Sequence, residues 1–201
     1  MDLNKLAETL KKKKYEVSLF KNKEDAAEYL NQKIDGKIVG FGDSETLASM
    51  KLYEKLVCHN RVFDPMHCEE GEDFFSTARK CLTTDIFLTS VNGMAETGEM
   101  VNIDGTGNRV AGSLFGHEKV YFVLGTNKIA PTLEEAKRRA HNIAAPMNAA
   151  RHHFRTPCSI REDHCYDCKS PDRICNAEVV YYQKMRFIEM EILLIDEKLG
   201  F

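Results

Sequence analysis

Lys37-Ile-Val-Gly-Phe-Gly-Asp-Ser-Glu-Thr-Leu47 holds the fold in miniature. Lys37–Phe41 reads as a short buried strand and Gly42-Asp43-Ser44 as a tight turn. The residues that follow read as a helix burying Leu47 and Met50. The same alternation extends outward. Upstream, Leu3, Leu6, Ala7 and Leu10 keep helical spacing, and the lysines at 11–14 suit the negative end of that helix's dipole. Tyr15–Phe20 reads as a strand, and Asn22 caps a second helix with Ala27, Leu30 and Ile34 on one face. Downstream, Arg61–Asp64 and Asp85–Ser90 read as strands around a helix at Glu72–Lys80, and Lys119–Leu124 is the clearest buried strand. Strands alternating with helices define an α/β class: a mostly parallel open sheet with helices on both faces.

The middle of the chain differs. Glycines crowd Asn92–Gly116, and β-type segments at Glu99–Ile103 and Arg109–Leu114 flank Asp104-Gly-Thr-Gly107, a hairpin signal. A hairpin-rich middle is expected. Thr132-Leu-Glu-Glu135 is a capping box opening a helix through Ala136, Ala140, Ile143, Ala144 and Met147, which Pro146 should kink or end. Residues 157–176 lack periodicity and read as a loop. Glu178–Lys184 and Phe187–Asp196 alternate like strands, although Met185, Ile188, Met190 and Leu193 nearly keep helical spacing. The expected organisation is an α/β core over 1–156, a cysteine-rich loop over 157–176 and strands returning to the core over 177–201.

Composition narrows the function classes. The chain has 201 residues, 43% hydrophobic and 29% charged, enough for a full core and unlike a disordered chain. Its 28 basic against 31 acidic residues, net −3, argue against a broad nucleic-acid binder. No apolar run is long enough to span a bilayer, and Met1-Asp2-Leu3-Asn4-Lys5 has no apolar signal core, so a cytoplasmic protein without a membrane partner is expected. Seven cysteines, four of them between 158 and 175, point to metal or redox chemistry rather than a disulfide framework.

Three constellations carry chemistry. Cys158, Cys165, Cys168 and Cys175 place a tight Cys-x-x-Cys between two symmetric outer cysteines; four thiolates serve either structural zinc or an iron–sulfur cluster, and His164 is an alternative donor. Cys58, Cys68 and Cys81 read as buried small hydrophobes. The Gly40-Phe-Gly42-Asp43-Ser44-Glu-Thr46 turn, between strand and helix, offers backbone N–H groups and the Ser44 and Thr46 hydroxyls to an anion, although Asp43 would repel a phosphate; the competing reading is a helix cap. After the strand at 85–90 come Asn92, Glu96, Thr97 and Gly98, at the strand end where α/β sheets bind ligands. Glu96 is the candidate base or nucleophile, with Asp85 reaching from the strand. Turn formation is the alternative for this stretch. Asn108 and Arg109 follow the next glycine turn, where Arg109 can fork onto a carboxylate or phosphate. No flavin, nicotinamide or P-loop fingerprint is present.

Thr83-Thr-Asp-Ile-Phe-Leu-Thr-Ser-Val-Asn-Gly-Met-Ala-Glu-Thr-Gly98 resembles the central motif of the LUD (lactate utilisation) domain family. Gly42-Asp-Ser44, Thr46-Leu47, Gly107-Asn-Arg109 and His117–Val123 continue the likeness, and Pro157–Asn176 is similar to the ending of stand-alone members. The resemblance spans roughly Leu6 to Phe201. It implies a fold like that of ribose-5-phosphate isomerase and the CoA transferases. It also implies a role linked to oxidation of lactate or a related hydroxy acid, an anionic small-molecule ligand, and iron–sulfur redox partner subunits. Glu96 within Ala-Glu-Thr-Gly is loosely similar to the glutamate turn of CoA transferases. Two other readings stand beside it: a non-catalytic binding module with structural zinc, and an isomerase or acyl-transferase acting on a phosphorylated or CoA substrate. A homodimer is the general expectation for a soluble chain.

Overall fold

Six parallel strands form the central sheet. The computed structural model describes residues 2–201, so Met1 lies outside it. In chain order the strands are β1 (Glu16–Phe20), β2 (Ile38–Phe41), β3 (Arg61–Phe63), β4 (Ile86–Thr89), β5 (Gly93–Ala95), β6 (Met100–Asp104), β7 (Lys119–Gly125), β8 (Ile129–Ala130), β9 (Ala177–Tyr181) and β10 (Glu189–Ile195). The helices are α1 (Leu3–Lys12), α2 (Lys23–Lys33), α3 (Glu45–Ser49), α4 (Leu52–Leu56), α5 (Phe74–Cys81), α6 (Asn108–Leu114), α7 (Leu133–Arg139), α8 (Ala145–Arg151) and α9 (Pro157–Arg161). The central sheet runs β1-β10-β7-β4-β2-β3, and a smaller sheet runs β8-β5-β6-β9. The expected open α/β sheet is present.

The burial pattern explains the layers. Along β7, Val120, Phe122 and Leu124 face one way and Tyr121 and Val123 the other, the two-residue period of a strand buried on both faces. One face packs against Leu6 and Leu10 of α1 and against Met94, Met100 and Tyr181 of the smaller sheet. The other packs against Ala26, Ala27 and Leu30 of α2 and Leu47, Leu52 and Leu56 of α3 and α4. The tail resolves as strands, with β10 inserted between β7, paired from Glu189 to Ile195, and β1, paired from Glu191 to Ile195.

Several expectations are corrected. Arg109–Leu114 is helix rather than the second arm of a hairpin. Its start is set by Asp104, whose carboxylate accepts from the N–H groups of Thr106, Gly107 and Val110 at 2.9–3.1 Å. Gly107, at φ +86°, takes the left-handed turn into the helix that a side chain would oppose. Pro146 does not stop its helix. A π-helical turn at Ala140–Ala144 precedes it, and the proline, with no N–H to offer, falls in the first turn of α8. Cys81 is buried as expected, but Cys58 and Cys68 are exposed, because each follows the buried part of its segment. The cysteine loop opens with the short helix α9, capped by Thr156.

Candidate functional site

Three neighbouring parallel strands, β7, β4 and β2, send their carboxyl ends to one cleft, the edge of an α/β sheet at which ligands bind. From β2 come Asp43 and Ser44, from β4 come Ser90 and Asn92, and from the turn after β7 comes Lys128; all five line the bottom of the cleft with Arg109, Asn148 and Phe201. The outer part is a cavity of about 480 Å³ bounded by Phe74, Phe75, Phe154, Asn108 and the Asp172–Ile174 segment of the cysteine loop.

The floor is cationic. Lys128 is buried, and its Nζ donates to Ser90 Oγ at 3.0 Å. The Arg109 guanidinium donates to the Ile103 carbonyl and, at 3.4 Å, to Asn92 Oδ1. Arg139 is buried behind them and donates to the carbonyls of Asn127 at 2.7 Å and Asn92 at 2.5 Å. Among the described residues, none of these three cations has a carboxylate within ion-pair distance. Burial pushes the Lys128 amine down to about 7, helped by the charges of Arg139 and Arg109 and opposed by Glu45. Burial likewise pushes Arg139 down to about 10.

The acidic groups beside this floor are already spent. Asp43, left-handed at φ +45°, takes Arg151 Nη2 on both oxygens at 2.9 and 3.0 Å. His152 Nε2 lies 3.4 Å from it. Burial pushes this carboxyl up, but His152 and Arg151 outweigh the burial and hold it below its ordinary value. Glu45 also meets Arg151, at 3.1 Å. The repulsion expected between Asp43 and an anion is therefore neutralised from α8.

The sequence matches the LUD domain family over residues 3–195. The chain belongs to the LUD domain family. Membership supports a role related to lactate utilisation. A solved structure of a DUF162 family protein from Deinococcus radiodurans is similar to this LUD domain, with a TM-score of 0.56, 10% identity, and 96% of this chain and 95% of that chain covered. At that identity the likeness concerns the fold alone. No curated protein matches the sequence.

The LUD domain gathers only part of the sequence-derived site. Ser44, Asn92, Asn108 and Arg109 reach the cleft. Ser44 also caps α3 by accepting from the Leu47 N–H. Thr46 is fully buried beneath it, 3.4 Å from Ser90 Oγ. Gly40 and Gly42 serve packing: a Cβ at Gly40 would fall 2.8 Å from the Cys81 carbonyl, and one at Gly42 would fall 2.9 Å from Thr89 Oγ1. Asp85 stands at the opposite, amino end of β4, where it accepts from the Ile38 N–H at 2.8 Å and ties two strands together. Glu96, Thr97 and Gly98 form the far turn of the β5–β6 hairpin. Glu96 is exposed, Thr97 donates to Glu99 at 2.5 Å, and Gly98, at φ +88°, packs on Lys13. None of the three lines the cleft.

Sequence reasoning missed Lys128, Arg139 and Arg151. The available signal was position: Lys128 follows the clearest buried strand at its carboxyl end.

The cysteine loop forms one wall of the cleft through Arg173 and Ile174. On its other side Cys158, Cys165, Cys168 and Cys175 line a common cavity of about 20 Å³ with His141 and Tyr166. Burial pushes the Cys175 thiol up to about 11, and the thiols of Cys165, Cys158 and Cys168 act in the same direction. The donor set has the chemistry of a zinc or iron–sulfur site. All four thiols are free, and among the described residues no group of three or more His, Cys, Asp or Glu side chains is set to hold a metal ion. His164 does not line the cavity; it is exposed, 3.5 Å from Asp163. Among the described residues no helix is long and apolar enough to cross a membrane.

Proposed function

We propose that the cleft binds a small organic anion, lactate or a related hydroxy acid, through a carboxylate seated against Arg109 and Lys128. One observation carries this reading: two buried cations, Lys128 and Arg139, and the half-buried Arg109 converge at the floor with no acidic partner among the described residues. Burying unpaired charge is expensive. An anion would supply what the fold leaves out, and a guanidinium matches a carboxylate by its paired donors. Asn92 and Ser90 stand beside these cations to receive a hydroxyl. The outer cavity, with Phe74, Phe75 and Phe154, leaves room for a ligand body larger than lactate.

The proposed role is in electron-transfer metabolism with iron–sulfur partner subunits. The four cysteines are the residues that would hold a metal centre. Bound as iron–sulfur it would carry electrons, and bound as zinc it would brace the cleft wall. Anaerobic purification with a visible spectrum and elemental analysis separates these readings: brown protein with iron favours the relay, colourless protein with zinc favours the brace, and folded metal-free protein removes the metal reading.

The anion reading is tested by thermal melting of the full chain with lactate and with its uncharged amide. Stabilisation by lactate alone is expected. Equal effects of the two, or none, would overturn it.

A further inference from the structure

Among the described residues Lys128 is the one lysine on the cleft floor, and its setting is unusual for a charge reader. Among the described residues its Nζ has a single hydrogen-bond partner, Ser90 Oγ at 3.0 Å, whereas an ammonium carries three protons to place. Ser90 Oγ in turn lies 3.4 Å from Thr46 Oγ1, and both hydroxyls are buried. Residues 199–201 close over this chain of groups. Gly200, at φ +58°, comes so near that a Cβ would fall 2.5 Å from Thr46 Oγ1 and 3.4 Å from Lys128 Nζ. Asn127, next to the lysine, pins this segment by donating to the Gly200 carbonyl at 3.1 Å and accepting from the Leu199 N–H at 2.9 Å. The amine is thus shielded from solvent, faces the bottom of the cleft, and has two guanidiniums as neighbours.

We infer that Lys128 is a covalent catalytic residue whose amine adds to the carbonyl carbon of a small 2-oxo acid held by its carboxylate against Arg109. This rests on the anion reading of the cleft. The nitrogen electron pair forms the carbon–nitrogen bond while the carbonyl pair moves to oxygen, which takes a proton. Loss of that oxygen as water, with departure of the nitrogen's proton, leaves an imine. One C=O becomes one C=N, one water is released, and no oxidant or reductant is consumed. Ser90, between Lys128 and Thr46, is placed to pass the proton.

Desolvation and neighbouring cations are what activate an amine nucleophile. With its amine near 7, the neutral fraction at pH 7 is about a thousandfold that of an ordinary lysine near 10.4. The charged groups that set this balance are Arg139 and Arg109 on one side and Glu45 on the other; Arg151 holds both Glu45 and the neighbouring Asp43.

The test incubates the full chain with pyruvate and cyanoborohydride, which reduces an imine to a stable amine, and maps the product by peptide mass spectrometry. Melting curves with pyruvate and with lactate are recorded alongside. The expected result is a gain equal to pyruvic acid less one oxygen atom on the Lys128 peptide. That labelling should exceed other lysines by at least about tenfold at pH 7, be suppressed by lactate, and be absent in K128R and K128M. The melting curves of both variants show whether they fold. Pyruvate that stabilises the protein but leaves no adduct on Lys128 overturns the covalent role and leaves the anion site standing. Neither acid stabilising the protein overturns both. Labelling spread evenly over surface lysines overturns the covalent role.

Discussion

The two ends of the β5–β6 hairpin hold similar residues in opposite circumstances. At the Asn92 end, polar groups are buried and shared. Asn92 accepts from the Ile103 N–H at 2.8 Å and from Arg109, and its carbonyl takes Arg139, with Lys128 and Ser90 alongside. At the Glu96 end the chain makes an ordinary turn in solvent, closed by the Gly98 N–H on the Ala95 carbonyl at 2.8 Å. Lys13 tethers that end to α1 through Glu99 at 2.7 Å. The lesson is electrostatic. A carboxylate in a glycine turn advertises itself in sequence, but free carboxylates in water are cheap and do little. Buried cations without acids are costly, and a fold retains them where something else completes them.

Four substitutions probe this contrast. The largest stability effect is expected for Asp43→Asn, which tolerates the left-handed backbone but leaves Arg151 half-served. A loss of about 3 kcal/mol in denaturant unfolding is expected, as for breaking a buried ion pair. Because the folded Asp43 carboxyl is held below its ordinary value, its contribution is complete above the ordinary carboxylate range and is lost as pH falls below it. The variant should therefore lose part of the wild type's acid transition.

Lys128→Met acts in the other direction. The unfolded lysine keeps its proton to about pH 10.4, and the folded one only to about 7. Between those values folding expels a proton, so wild-type stability rises with pH. The variant has no such dependence. It should exceed the wild type by about 2 kcal/mol at pH 6, with the gap closing towards pH 10, which melting curves across pH will read.

Arg109→Met should weaken binding of a small carboxylate by about tenfold or more, the value of one charge-assisted hydrogen-bond pair, measured by titration calorimetry. Glu96→Gln is the counter-example. It should change stability by less than about 0.5 kcal/mol, as for an unencumbered surface position, and leave carboxylate affinity unchanged. A loss of binding in this variant would reverse the comparison.

The sheet was legible because burial on both faces writes itself as runs such as Val120–Leu124 and Ile192–Ile195. The helix α6 was not, because its start depends on what the Asp104 carboxylate accepts, and Asp-Gly-Thr-Gly serves a hairpin equally well. The place of Arg109 in the cleft was legible, because it directly follows the Gly107 turn. Lys128 was not, because Thr-Asn-Lys after a strand looks like a solvated turn until residues 199–201 are seen to cover it. Asp43 looked hostile to an anion because its partner, Arg151, comes from 108 residues away. Asp85 and the glycines at 40 and 42 were legible as special positions, but their use is structural, strand to strand and strand to helix.

The most direct test of the cationic floor is titration calorimetry of lactate into wild type, R109M and E96Q under one condition. Saturable binding of equal strength to wild type and E96Q, weakened by about tenfold or more in R109M, is the predicted result. Equal binding to wild type and R109M, or its loss in E96Q, would contradict the account.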